Sequence, residues 1–382
     1  MQVKHGVRLA VAGLVGLVTL AALAGAGVAA NGHASYHAVC PGAPTGTARC
    51  HSEYTTDAHG NPDVSSSPYG LSPATIKSAY NFPTSLTAGA GKTIAIVDAY
   101  DDPTAESDLG VFSSQYGLPA CTTANGCFKK VNQTGGTGYP RKDAGWALEI
   151  SLDIQWAHAI APGAKILLVE ARSNSFSNLL AAEDYANAHA QYVSNSWGGS
   201  EFSSESLYDS HFAVGKAFVS SGDAGLPAEY PSSSPNVISV GGTTLNFNND
   251  GSVSSETGWS GSGGGCSAYE AKNNAQNTGS VNCGTKRATP DVSLDADPAS
   301  GVSVYDSTSY QGQAGWWRVG GTSASSPMWA ARSSVAGTVV NANYVYANNI
   351  TFRDITSGNN GASAGLGYDL VSGRGSWTGT TP

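Results

Sequence analysis

Thr93-Ile94-Ala95-Ile96-Val97 is a short apolar run closed by a carboxylate, Asp98. A run this short, with no polar alternation, fits a strand buried on both faces. The pattern recurs at Lys165-Ile166-Leu167-Leu168-Val169, at Tyr192 to Ser196, at Ala217-Phe218-Val219-Ser220 and at Val237-Ile238-Ser239-Val240. Stretches with helical spacing lie between them: Pro103 to Phe112, Ala144 to Ile160 (stopped by Pro162-Gly163) and Asn178 to His189. Such alternation predicts an α/β fold with a mostly parallel central sheet and helices on both faces. Functional residues of such sheets gather at the carboxyl ends of strands. Asp98, Trp197 and Asp223 all fall there.

The 382 residues suffice for a sizeable core. Only 12% are charged and 48 are Gly, which suits a loop-rich extracellular protein. Acidic residues outnumber basic ones by 28 to 19, which argues against a nucleic-acid partner. Lys4 and Arg8 precede an apolar run that ends in Val28-Ala29-Ala30, the pattern of a cleaved signal peptide over 1–30. The competing reading is an uncleaved membrane anchor. Residues 31–68 are polar and turn-rich and read as a short extension, stapled or flexible, ahead of a domain over 69–382. The six cysteines fall in three close pairs, Cys40/Cys50, Cys121/Cys127 and Cys266/Cys283. Export makes disulfides within each pair the simplest reading, although six cysteines allow 15 connectivities.

The strongest chemical signal is Gly320-Gly321-Thr322-Ser323-Ala324-Ser325-Ser326-Pro327. Small residues permit close backbone approach. Ser323 sits where a helix should begin, so backbone N–H groups there can stabilise an oxyanion. A serine nucleophile needs a base. Of eight histidines, five precede residue 60, and His158, His189 and His211 lie in no recognisable catalytic segment. Glu149 and Asp153 offer a replacement, since at i and i+4 they share one helix face. A like-charged pair shares a proton and raises one pKa, so it serves as a base in acid. Their flanks are apolar, and a buried acidic pair needs a reason. Ser220-Ser221-Gly222-Asp223-Ala224-Gly225 reads either as turn chemistry or as a protonated Asp donating to an oxyanion.

These segments together resemble the sedolisins, the serine-carboxyl peptidases that look like subtilisins rebuilt for acid. The resemblance covers about Tyr69 to Gly375 and implies a subtilisin-like fold. It makes Ser323 the nucleophile, Glu149 its base, Asp153 the residue that orients Glu149, and Asp223 the oxyanion acid. Ser194-Asn195-Ser196-Trp197-Gly198 resembles the substrate-groove strand, with Trp197 near the catalytic Glu. Asp98 matches a further acid of the proton network. Ser262 to Ser267 and Arg287 to Pro298 resemble two connecting segments of the family. The family's one structural calcium implies a site at Asp354, Ile355, Gly365, Gly367 and Asp369, whose carboxylates and carbonyls suit a hard cation. One departure is the short stretch before Tyr69, which leads us to expect no full-length propeptide domain.

The resulting expectation is a secreted, monomeric, acid-active endopeptidase acting on polypeptides, with an optimum below about pH 5. It would have no stable membrane association once the signal is removed. Tripeptidyl-peptidase action and an inactive secreted binding protein are the alternatives. A two-carboxylate glycoside hydrolase is disfavoured, because its acids stand about 5 to 9.5 Å apart across a sugar bond.

Overall fold

The computed structural model describes Met1 and residues 35–278, 280–347 and 350–379. The signal segment therefore lies outside the described residues, Met1 excepted. No helix among the described residues is long and apolar enough to cross a membrane. The chain divides into the units Met1–Asn31 and Gly32–Pro382; everything below lies in the second.

In chain order, β1 (Ser35–Ala38), β2 (Arg49–Cys50), β3 (Glu53–Thr56) and β4 (Val64–Ser65) precede α1 (Pro73–Ala79). Alternation then begins with β5 (Thr93–Ala99), α2 (Ala105–Tyr116), β6 (Phe128–Asn132), α3 (Ala144–Ile160), β7 (Lys165–Ala171), α4 (Phe176–His189) and β8 (Tyr192–Asn195). The strands β9 (Trp197–Ser200), β10 (Ala217–Ser220), β11 (Glu229–Tyr230), β12 (Ile238–Phe247) and β13 (Val253–Gly258) follow. Next come the paired β14 (Gly265–Ala271) and β15 (Lys286–Thr289), then β16 (Val292–Asp295). The pair β17 (Val302–Tyr310) and β18 (Gln313–Gly320) leads into α5 (Thr322–Val335), and β19 (Phe352–Arg353) and β20 (Ser376–Trp377) close the fold.

The central sheet has the order β19-β20-β16-β12-β10-β8-β5-β7-β6, with β13 paired to β12. It is parallel from β20 to β6, and only β19 and β13 run antiparallel. Its middle strands are buried along nearly their whole length, as continuous apolar runs require. Helix α4 packs on β5 and β7, α5 on β8, β10 and β12, and α3 on α5 and β17. Asp143 caps α3 by accepting from the N–H groups of Gly145 and Trp146. Every residue of α3 after Ala144 is buried, so its polar groups face protein rather than water.

One local reading shifts. The expected strand from Tyr192 to Ser196 is interrupted at Ser196, and β9 resumes at Trp197 in a different sheet. Helix α5 begins at Thr322, which places Ser323 in its first turn, at the helix start expected there.

The polar segment before Tyr69 is woven into the body. β3 and β4 pair with β18, and β1 pairs with β3. β2 pairs with β9, whose other edge carries β11. All three local disulfides are formed: Cys40–Cys50, Cys121–Cys127 and Cys266–Cys283. Cys121, Cys127 and His158 cluster, but both cysteines are spent in a disulfide and His158 Nε2 bonds the Pro119 carbonyl.

Candidate active site

Ser323 reaches the site because Gly320 and Gly321 let β18 turn sharply into α5. Gly321 has φ +92, and a Cβ there would collide with the His51 carbonyl and approach Asp223 Oδ2 at 2.7 Å. Only glycine takes that backbone in so tight a place. Ser323 is fully buried, and its hydroxyl donates weakly to the Ser196 carbonyl at 3.4 Å.

Glu149 and Asp153, one helical turn apart on α3, are also fully buried. Burial, then the charge of Asp98, pushes Glu149 well above the usual carboxylate range. The hydroxyls of Ser323 and Ser52 act the other way. Asp153 is raised by the same two causes and by Glu149, with Ser196 opposing. Asp98, at the end of β5, is pushed up to about 8 by burial. None of the six carboxylate oxygens on these residues closes a hydrogen bond among the described residues. Three acids without cations between them are tolerable in a dry site only if protons neutralise them. Trp197 is buried, and its Nε1 donates to the Val97 carbonyl at 2.8 Å, tying β9 to the strand that carries Asp98.

Asp223 follows β10 in the turn expected of it. Its Oδ1 accepts from Thr322 N and Thr322 Oγ1, each at 2.8 Å. Burial raises its pKa, while nearby His51 and Arg49 favour the charged form.

The structure thus gathers Ser323, Glu149, Asp153, Asp98 and Asp223 around one buried centre, and buries Trp197 against the strand that carries Asp98. It also brings in residues that sequence reasoning missed. Ser323 N–H donates to the His51 carbonyl at 3.0 Å, and His51 N–H donates to the Ser196 carbonyl at 3.1 Å. The His51 ring lies 2.7 Å from Ser220 Oγ and 3.0 Å from Glu229 Oε2. Arg49 Nη2 pairs with Glu229 Oε1 at 2.9 Å. Burial alone would raise Glu229, but the attraction of His51 and Arg49 outweighs it and holds the carboxyl at about 2. Glu53, beside Asp223, is pushed up to about 8, first by burial and then by Asp223. The one sequence signal for this insertion was Cys50, whose bond to Cys40 fixes the loop that delivers His51.

Two of the expected cation ligands, Asp354 and Asp369, reach the same glycine-rich loop. Gly367 N–H donates to both carboxylate oxygens of Asp354 at 3.0 and 3.2 Å, and Gly365 N–H donates to Asp369 Oδ2 at 2.9 Å. Ile355 is buried beside them. Two carboxylates brought onto one glycine-rich loop fit a hard cation in donor chemistry.

A parallel α/β sheet that sets a serine at a helix start beside buried carboxylates defines a class, and comparison with known proteins agrees. The chain belongs to the subtilase family, whose profile matches residues 138–354, and within it to the sedolisins. Kumamolisin from Bacillus sp. (strain MN-32) is 30% identical over 365 residues, spanning 82% of this chain and 63% of that protein. Sedolisin from Pseudomonas sp. (strain 101) is 35% identical over 204 residues, spanning 43% of this chain and 34% of that protein. The chain therefore spans less than two thirds of the length of these relatives. A solved structure of Pseudomonas sedolisin, a serine-carboxyl proteinase complexed with two molecules of pseudo-iodotyrostatin, superposes with a TM-score of 0.68 at 28% identity. That match covers 81% of this chain and 96% of the other.

Proposed function

We propose that this chain is a secreted, acid-active serine-carboxyl endopeptidase that hydrolyses polypeptides through an acyl-enzyme. The observation that carries the reading is the burial of Ser323 beside Glu149 and Asp153, with no histidine ring bonded to Ser323 among the described residues. His51 turns to Ser220 and Glu229, His158 to Pro119, His189 to Tyr185 and His211 to Asp184. The carboxyl cluster is then the base system open to the serine.

In this reading Ser323 Oγ attacks the peptide carbonyl carbon and Glu149 takes its proton. Asp153 orients Glu149, and Asp98 extends the shared protonation. The developing oxyanion receives hydrogen bonds from Ser323 N–H and from protonated Asp223. The proton passes to the leaving amine, and water then cleaves the ester with Glu149 again as base. Because Asp223 must carry a proton, activity belongs to acid, below about pH 5. Asp354 and Asp369, with the carbonyls of Ile355, Gly365 and Gly367, would hold one structural calcium ion that braces the C-terminal loops. The apolar segment over 1–30 supports secretion with signal cleavage.

The test is cleavage of acid-unfolded protein between pH 2 and 8, in calcium, by the chain and by Ser323→Ala. Acid-optimal activity lost in the variant is expected. Full activity at neutral pH with loss in acid would overturn the mechanism, and a folded protein inert throughout would favour a secreted binding protein.

A further inference from the structure

The glycine-rich segment Ser262-Gly263-Gly264-Gly265 packs against the turn that carries Asp223. That turn, residues 221–226, belongs to no helix or strand. A carboxyl on such a turn is placed only as well as the turn itself is held. Ser221 N–H donates to the Val240 carbonyl of β12 at 2.9 Å. The other anchors come from loops: Gly263 N–H donates to the Gly222 carbonyl at 2.7 Å, Gly225 N–H to the Gly261 carbonyl at 3.0 Å, and Leu226 N–H to the Asn360 carbonyl at 3.2 Å. The approach is close on both sides of the segment. A Cβ on Gly263 would collide with the Ser221 carbonyl, and one on Gly264 with the Leu370 carbonyl.

Loops this close must be fixed to one another, and the side chain that does so is Asn360. It is buried. Its Nδ2 donates to the Ser262 carbonyl at 2.6 Å and to the Leu370 carbonyl at 2.9 Å, and its Oδ1 accepts from Ala362 N–H at 3.1 Å. Both partners of the nitrogen are carbonyls and the partner of the oxygen is an N–H, so the amide fits in one orientation only. Its own carbonyl holds Leu226. One residue thus ties the glycine-rich segment to the C-terminal loop with its side chain and the Asp223 turn with its backbone. Ser262 completes the clamp, donating through Oγ to the Val371 carbonyl at 2.6 Å and accepting from Gly242 N–H of β12 at 2.8 Å.

We infer that Asn360 is the positioning residue of the oxyanion acid, fixing through the glycine-rich segment and Leu226 the turn from which Asp223 donates. This rests on the peptidase reading above. The bonds of Asn360 go to Ser262, Leu370, Ala362 and Leu226, so its effect reaches Asp223 through the backbone and not by contact. Removing the amide leaves the Ser262 and Leu370 carbonyls unpaired in a buried place, and the loops draw apart to find other donors. Asp223 then moves with its turn, and a misplacement of about 1 Å can cost about 10²-fold in rate. The donor is needed as negative charge develops on the carbonyl oxygen, so the loss falls on kcat and leaves KM nearly unchanged.

The test is a double-mutant cycle. For the unaltered chain, Asn360→Ala, Asp223→Ala and the two changes together, kcat and KM on a peptide substrate are measured in acid, with folding checked by circular dichroism. Asn360→Ala is expected to lower kcat about tenfold to a hundredfold and to keep KM within about twofold. Beside Asp223→Ala the same change should cost less than about twofold, because no acid is left to place. Asn360→Asp keeps the shape of the side chain, and in acid its protonated carboxyl donates to one of the two carbonyls. It should lose about threefold or more in kcat, less than Asn360→Ala, and this loss too should vanish beside Asp223→Ala. The cycle built on Asn360→Asp decides the matter if the alanine variant does not fold. A loss of the same size with and without Asp223, a loss confined to KM, or no loss at all overturns the assignment of Asn360 and leaves the peptidase reading standing. An unaltered chain that folds and cleaves nothing overturns both.

Discussion

Ser323 N–H and the His51 carbonyl are joined by a hydrogen bond of 3.0 Å, so the donor that an oxyanion would need is already filled from within the chain. An added transition-state analogue must displace that carbonyl first. The displaced strand belongs to a loop closed by Cys40–Cys50, and a closed loop has fewer ways to move aside. Replacing both cysteines by serine should therefore speed the onset of inhibition by a peptide aldehyde at acid pH. A rise of about threefold to tenfold in the association rate is expected, as loop constraints of this kind carry on the order of 1 kcal/mol or more. Stopped-flow or progress-curve measurement checks it, and an unchanged rate would mean that the segment already opens freely.

Asp223 gives a sharper chemical test because its two oxygens have different partners. Oδ1 takes both Thr322 donors, while Oδ2 lies toward Gly321 and the oxyanion position. In Asp223→Asn the amide oxygen can keep the Thr322 bonds, and the NH2 group then points where the protonated acid donates. That variant should fold, retain a measurable share of kcat, and lose part of the fall in activity toward neutral pH, because its donor needs no added proton. Asp223→Ala should cost about 10²- to 10³-fold in kcat, the usual loss of one oxyanion donor. Equal loss in both variants, with parallel pH profiles, would assign Asp223 to holding Thr322 alone.

The central sheet was legible because its strands are short apolar runs, and α3 because its residues keep helical apolar spacing up to the stop at Pro162-Gly163. Glu149, Asp153 and Asp223 were legible as acids in apolar or glycine-bracketed settings. His51, Glu53 and Glu229 were not. His51 and Glu53 sit in a polar, turn-rich stretch whose burial comes from pairing with β9 and β18, partners about 150 and 270 residues away that no local pattern encodes. Glu229 carries no local signal, and only its contacts with Arg49 and His51, about 180 residues away, bring its carboxylate to the site.

The C-terminal loops make a separate prediction. Asp354 and Asp369 hold amide donors of Gly367 and Gly365 respectively, and burial raises Asp369 while the amides of Gly365, Ser372 and Val371 oppose it. A bound cation would replace weak neutral donors by a full positive charge and stabilise only the folded chain. At a calcium concentration about 100 times its Kd, a gain of about 2.7 kcal/mol is expected. Thermal unfolding with calcium and with chelator checks it. Asp369→Asn should abolish the calcium dependence and Asp354→Asn should weaken it, whereas a midpoint indifferent to calcium in the unaltered chain would remove the ion from the account.

The buried acids also fix how stability responds to pH. Asp98 is fully buried and pushed up to about 8, whereas in the unfolded chain an aspartate ionises near 3.9. Below about pH 4 both states hold the proton, and the contribution of Asp98 is fully present. Between about pH 4 and 8 the unfolded chain releases the proton and the folded chain keeps it, so stability falls as pH rises. Glu183 and Asp306, each raised to about 8 chiefly by burial, and Glu170, raised to about 9, act in the same sense. The protein should unfold at a lower temperature at pH 8 than at pH 4, the reverse of the usual acid sensitivity. Asp98→Asn removes a titrating group and keeps the shape. Its stability relative to the unaltered chain should therefore climb with pH over that window, by at most about 1.4 kcal/mol per unit. Denaturant unfolding at pH 4, 5, 6 and 7 measures the slope. A difference that stays flat would show that Asp98 is ionised in the folded protein, held by a partner that neither Glu149 nor Asp153 supplies.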